Sequence, residues 1–108
     1  TIEGRLENNY RIYIWKSLKK DKLKKSRRLE ELLGCSIKKL KSHLESLFTD
    51  GMSWNNYGEW EVDHIIPIDF FRKNYDFKNP EVQKECFHFS NLQPLWQKDN
   101  IKKSNKLK

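Results

Sequence analysis

Asp63-His64-Ile65-Ile66-Pro67, Asn91-Leu92-Gln93-Pro94-Leu95, and Asn100 with Lys103-Ser104 behind it are the residues of this 108-residue chain whose types and spacing could do chemistry. A carboxylate and an imidazole stand side by side on a short apolar stretch. Two amides and a lysine follow at fixed offsets near the C-terminus. Together they suffice to hold one hard metal ion, one general base and one phosphate. An Asp-His pair alone carries little, because most such pairs are incidental. Here the context adds weight: a strand, a loop, a second strand and a helix follow in quick succession. Lys103 lies three residues beyond Asn100, hence on the same helical face.

The rest of the chain must position those residues. Leu6, Tyr10, Tyr13, Ile14 and Leu18 fall near helical spacing and predict an amphipathic helix over residues 6–20. Residues 21–28 read as a charged connector, and Leu29 to Leu33 as a short helix stopped by Gly34. Ser36 can cap the next helix, whose stripe is Ile37, Leu40, Leu44, Leu47 and Phe48. Asp50-Gly51 reads as a turn, and Ser53 to Gly58 as an ordered aromatic loop. Residues 59–68 are β-prone and hold the Asp-His pair, with Phe70 and Phe71 packing on the core just beyond. Pro80 can open a helix to Glu85. Leu92 to Trp96 reads as a second strand, confined by Pro94 to an edge or a bulge, and residues 98–107 as a terminal helix. The two helices around Gly34-Cys35-Ser36 also admit a helix-turn-helix reading, against that of an ordinary helical hairpin.

The net charge of +7 is unevenly spread. Eight basic residues and one acid lie between Lys16 and Arg28, and five basic residues and one acid between Lys98 and Lys108. Two basic blocks around a slightly acidic middle suit a polyanion laid across both ends, although lysine-rich faces also serve solubility alone. Arg11, Lys16, Lys19, Lys20, Lys24, Lys25, Arg27, Arg28, Lys102 and Lys106 are the candidate nucleic-acid contacts. Cys35 and Cys86 stand alone and read more readily as reduced thiols than as a disulfide. No apolar run approaches membrane-spanning length and no signal peptide is visible, so a soluble, intracellular protein is expected. Ile2-Glu3-Gly4-Arg5 matches a protease-cleavage tag, and no function is placed on residues 1–5.

Residues 60–67, 91–95 and 100–104 resemble the HNH endonuclease family, the ββα-metal nucleases; the motifs span Gly58 to Ser104. With Leu33 to Ser36, Asp50 to Trp54 and Cys86-Phe87-His88, the chain looks like the small HNH proteins of phages and large viruses. The resemblance implies an α+β chain: an N-terminal helical, DNA-gripping region (1–50) and a ββα-metal catalytic core (51–108), a two-stranded hairpin with a C-terminal helix, all within one compact domain. It implies Asp63 and Asn100 as metal ligands and His64 as general base. Asn91 would brace the loop and orient the base, and Lys103 would touch the scissile phosphate. Many relatives carry cysteines around this motif that bind zinc. Here Trp96 and Asp99 occupy part of that neighbourhood, so no structural zinc is expected, and Trp54, Trp60 and Trp96 are expected to pack in its place.

Hard oxygen donors suit one Mg2+ or Mn2+, and two protein ligands leave about four octahedral positions for water and DNA oxygens. The expected function is hydrolysis of double-stranded DNA to 5′-phosphate and 3′-hydroxyl ends, by a nick per monomer or a double-strand cut by a homodimer. The location would be host cytoplasm for a phage protein, or the nucleus for one from a eukaryotic virus. The rival is a DNA-binding module without catalysis, reading DNA through the helical hairpin; an RNA-directed nuclease would use the same motif. Adjacent strand residues face opposite ways, so a bulge or a strand end is expected at Asp63-His64. His88 is a further candidate ligand or phosphate contact, against a half-buried histidine between Phe87 and Phe89. His43 is expected on a polar helix face and Asp69 at the surface.

Overall fold

The structure, a computed structural model, describes the backbone of residues 1–23 and 28–106 and the side chains as far as Lys103. It is mixed helix and sheet. Helix α1 (Ile2–Lys20) starts at Thr1, whose hydroxyl accepts from Gly4 N at 2.9 Å. It buries Leu6, Tyr10, Ile14 and Leu18, a four-residue spacing that keeps one face inward. Helix α2 (Leu29–Leu33) ends at Gly34, and α3 (Ile37–Ser46) is capped by the Ser36 hydroxyl accepting from Lys39 N at 3.1 Å. α2 runs where the spacing predicts, whereas α3 stops at Ser46, short of the Leu47 and Phe48 placed on its stripe, and Leu47 is exposed. α1 packs on α3, while α2 packs on α5 (Pro80–Phe87). One apolar cluster therefore runs from Leu6 through Leu40 and Phe87 to Leu92.

Gly34 must be glycine for two reasons. Its φ of +73° lies in the left-handed region, and an added Cβ would sit 2.5 Å from His88 Nε2. Gly34→Ala is therefore expected to lower unfolding stability by about 2 kcal/mol, read from the urea midpoint. Cys86 is fully buried and Cys35 half-buried, and both thiols are free; burial pushes the Cys86 thiol up to about 12.

Strands β1 (Trp60–His64) and β2 (Leu92–Trp96) pair antiparallel from Trp60–Trp96 to His64–Leu92. The bonds from Ile65 N to Asn91 O and from Gln97 N to Glu59 O set the alternation, so Pro94 opposite Val62 falls at a non-hydrogen-bonded position. Its missing N–H costs the ladder nothing there. No tight turn joins the strands. Residues 65–91 intervene, carrying helices α4 (Ile68–Asn74) and α5. The strand expected over 59–68 is thus too long. Pro67 cannot extend a ladder, and the chain enters α4 behind it. Helix α6 (Gln97–Lys106) follows β2 directly and packs against both strands.

Trp60 is fully buried against Tyr57, Phe48 and Trp54, with ring centroids 4.7, 5.0 and 5.1 Å away. Its indole N–H donates to Ser53 O at 2.8 Å. The expected aromatic packing therefore draws on Phe48 and Tyr57 as well, while Trp96 stands beside Gly51.

Candidate functional site

β1 projects its side chains to two sides. Glu61 and Asp63 face α6, and His64 faces α1. The ladder is regular through His64, so of the bulge or strand end expected there it is the strand end that occurs, at that residue. A cleft of about 1040 Å³ bends round this end and is bordered by Asp63, His64, Asn100 and Lys103 together. Tyr10, Tyr13, Lys16 and Lys20 of α1, and Phe70, Arg72 and Lys73 of α4, line its walls.

Asp63 is buried. Its Oδ2 accepts from Gln93 Nε2 at 2.9 Å and from the Lys103 ammonium at 2.8 Å. Its Oδ1 accepts no hydrogen bond among the described residues. Gln93 sits directly opposite in the register, which places its amide against the carboxylate. Lys103 also donates to His64 O, tying α6 to the end of β1. Asn100 Nδ2 stands 3.5 Å from Glu61 Oε2. Among the described residues, no three His, Cys, Asp or Glu side chains gather at one point.

His64 is 4% exposed. Tyr13 stacks on it with centroids 5.0 Å apart, Phe87 meets it edge-on, and Nε2 lies 3.2 Å from the Tyr10 hydroxyl. Nδ1 is buried without a partner among the described residues. Burial pushes the imidazole down to about 4, with the Lys103 cation adding to the fall and Asp63 opposing it. A neutral ring results at pH 7.

Asn91 does not border the cleft. Its Oδ1 accepts from Ile66 N at 2.8 Å, and its Nδ2 donates to Ile66 O and Cys86 O, each at 3.0 Å. It braces the chain leaving β1 at Ile66, and no hydrogen bond joins its side chain to His64 among the described residues. Asn91→Ala removes the partner of three backbone groups, buried at Cys86 and part-buried at Ile66, and is expected to cost about 2 kcal/mol of stability, read by denaturant unfolding.

The other candidates divide. Lys16 and Lys20 border the cleft. Arg11 is exposed and pairs with Glu7, Lys19 lies over the Trp15 ring, and Arg28 is exposed at the N-cap of α2. Lys102 is exposed on α6, away from the cleft lining. Lys24, Lys25, Arg27 and the Lys106 side chain lie outside the described residues. His88 does not border the cleft: its Nδ1 caps the turn at Ser90 and its ring rests on Gly34. His43 points inward rather than to a polar face, with Nε2 2.9 Å from Leu92 O and its ring edge-on to Phe89. Asp69 is exposed and pairs with Arg72.

Sequence reasoning passed over Arg5, Glu61, Tyr10 and Tyr13. Arg5 borders the cleft, donates to Tyr57 O at 2.8 Å and lies over the Tyr57 ring. Strand alternation would have found Glu61, two residues from Asp63 on the same face. Nothing local signals that the tyrosines, some fifty residues away, cover His64.

The chain is 32% identical over 107 residues to "Uncharacterized protein L426" of Acanthamoeba polyphaga mimivirus, an alignment covering 98% of this chain and 44% of that protein. It is 38% identical over 90 residues to "Uncharacterized protein L246" of the same virus, covering 72% of this chain and 38% of the relative. The chain thus spans less than half the length of these curated relatives. No family model matches it, and no solved structure matches it. No described helix is long and apolar enough to cross a membrane.

Proposed function

We propose that this chain is an HNH-type, metal-dependent endonuclease that hydrolyses DNA phosphodiesters. The supporting observation is that Asp63, His64, Asn100 and Lys103, drawn from two elements, border one cleft walled by basic side chains. In this reading β1, β2 and α6 form the ββα unit and the N-terminal helices grip the DNA backbone.

The donor set fits a hard dication. Among the described residues Asp63 keeps Oδ1 unbonded, Asn100 adds an amide, and the Asp63 carboxylate already holds a positive charge in the form of the Lys103 ammonium. Asp63 and Asn100 would hold the ion, with Glu61 beside them. Bound Mg2+ or Mn2+ supplies Lewis-acid stabilisation of the charge that builds on the phosphate and on the departing 3′ oxygen.

The chain's own residues do the rest. Arg5, Lys16, Lys20 and Lys73 on the cleft walls attract the polyanion. Neutral His64 removes a proton from the attacking water. Its low basicity in isolation rises beside the substrate, because a phosphodiester and the growing phosphorane charge both favour imidazolium. A water reaches the buried ring only when a neighbour shifts. Tyr13, 41% exposed, is freer to turn than Tyr10 or Phe87. Lys103 stands close enough to exchange Asp63 for a phosphate oxygen.

A duplex oligonucleotide labelled at either end tests the proposal. Cutting in Mg2+ or Mn2+ should stop with chelator, weaken steeply as salt rises, and leave 5′-phosphate and 3′-hydroxyl ends that ligase reseals. Binding without cutting in any divalent ion would favour the non-catalytic module, and preference for RNA would move the substrate class.

A further inference from the structure

We infer that Tyr10 is a positioning residue that fixes the tautomer of His64, with the proton on Nε2 and the bare lone pair on Nδ1. Phe87 is the last residue of α5, and the N–H of Asn91, four residues on, goes to His88 O instead. The Phe87 carbonyl is therefore one of the orphans that every helix end leaves, and it needs a donor from elsewhere. The Tyr10 hydroxyl stands 3.2 Å from it.

That hydroxyl has a single proton, which burial keeps in place. Given to Phe87 O, the proton is not available to His64, also 3.2 Å away. Tyr10 must then accept from Nε2–H. The opposite arrangement strands two groups at once: the Phe87 carbonyl loses its donor, and an N–H appears at Nδ1, which is buried without an acceptor. Buried orphan N–H groups are rarer and costlier than an unused imidazole lone pair. The hydrogen bond at one ring nitrogen so decides the state of the other.

The consequence rests on reading His64 as the base: Nδ1 is the nitrogen that takes the proton from water, and a helix outside the motif holds it ready. In a neutral ring protonated on Nε2, Nδ1 gains the proton and becomes imidazolium, with Tyr10 still accepting from Nε2–H. The proton later leaves from Nδ1 to solvent, which restores the starting state.

The test is long-range 1H–15N NMR of histidine-labelled protein at pH 7, beside cleavage and DNA binding, for wild type and Tyr10→Phe. Wild-type His64 should show a pyrrole-like Nε2 and a pyridine-like Nδ1. In Tyr10→Phe the two shifts should move towards each other, and cleavage should fall about tenfold with DNA affinity changed less than twofold. A pyrrole-like Nδ1 in wild type overturns the inference, as does a Tyr10→Phe protein with unchanged shifts and rate. Should that variant not fold, the wild-type spectrum decides alone. If wild type never cuts DNA, the nuclease reading falls while the spectrum still decides the tautomer.

Discussion

His64→Ala is expected to cut DNA about 1000-fold more slowly than wild type at pH 7.5 in Mg2+, while binding the same duplex within a factor of two. The size follows from the role: a positioned general base contributes roughly 10²–10⁴-fold. Binding is preserved because Arg5, Lys16, Lys20 and Lys73 line the cleft independently of the imidazole. Single-turnover rates beside filter binding make the comparison, at a temperature where melting curves show both proteins folded. A variant that loses affinity and rate in parallel would point to a packing role for His64. One that cuts at the wild-type rate would remove His64 from the chemistry.

The second large effect is on stability. The His64 imidazole is pushed down from 6.5 to about 4 by burial, helped by Lys103, against the pull of Asp63; the Tyr10 hydroxyl and the stacked Tyr13 ring face it as well. Between those values the unfolded chain binds a proton that the folded chain refuses, so stability rises with pH. The contribution is complete above about pH 6.5 and disappears as pH falls towards 4. At about 1.4 kcal/mol for each pKa unit, it amounts to some 3 kcal/mol. Urea midpoints in EDTA at pH 7 and pH 4.5, for wild type and His64→Gln, isolate it, since the carboxylates act alike in both. A wild-type protein whose acid sensitivity matches the variant's would show that the ring is charged or exposed when folded.

Much of the local structure was legible in the residues because it is decided by neighbours in sequence. Ser36 and Gly34 bound their helices through cap chemistry, and Leu92 to Trp96 forms its strand over the span its residues suggest. β1 was overestimated because Ile65, Ile66 and Ile68 continue an apolar run that looks like a strand. Pro67 and the Asn91 brace end it, and the Asn91 contact cannot be seen from residue 66. Helix α4 is seven residues long, too short for periodicity to declare it.

The site divides in the same way. Asp63, Asn100 and Lys103 belong to adjoining elements, and their convergence follows from strand and helix spacing. The environment of His64 comes from α1, from Phe87 and from the end of β1, so its burial and its hydrogen bond are tertiary facts. His43 and His88 show the converse. His43 is expected on a polar helix face and His88 is a candidate ligand in sequence, yet His43 is turned towards a strand carbonyl and His88 is set over a glycine.

The most direct test is a supercoiled plasmid incubated with wild type or Asp63→Ala in Mn2+, Mg2+ or chelator. Wild type should turn supercoiled DNA into nicked circles with either metal and leave it untouched in chelator, and Asp63→Ala should leave it intact throughout. A wild-type protein inert with both metals, or an Asp63→Ala protein that nicks as fast as wild type, would contradict the account.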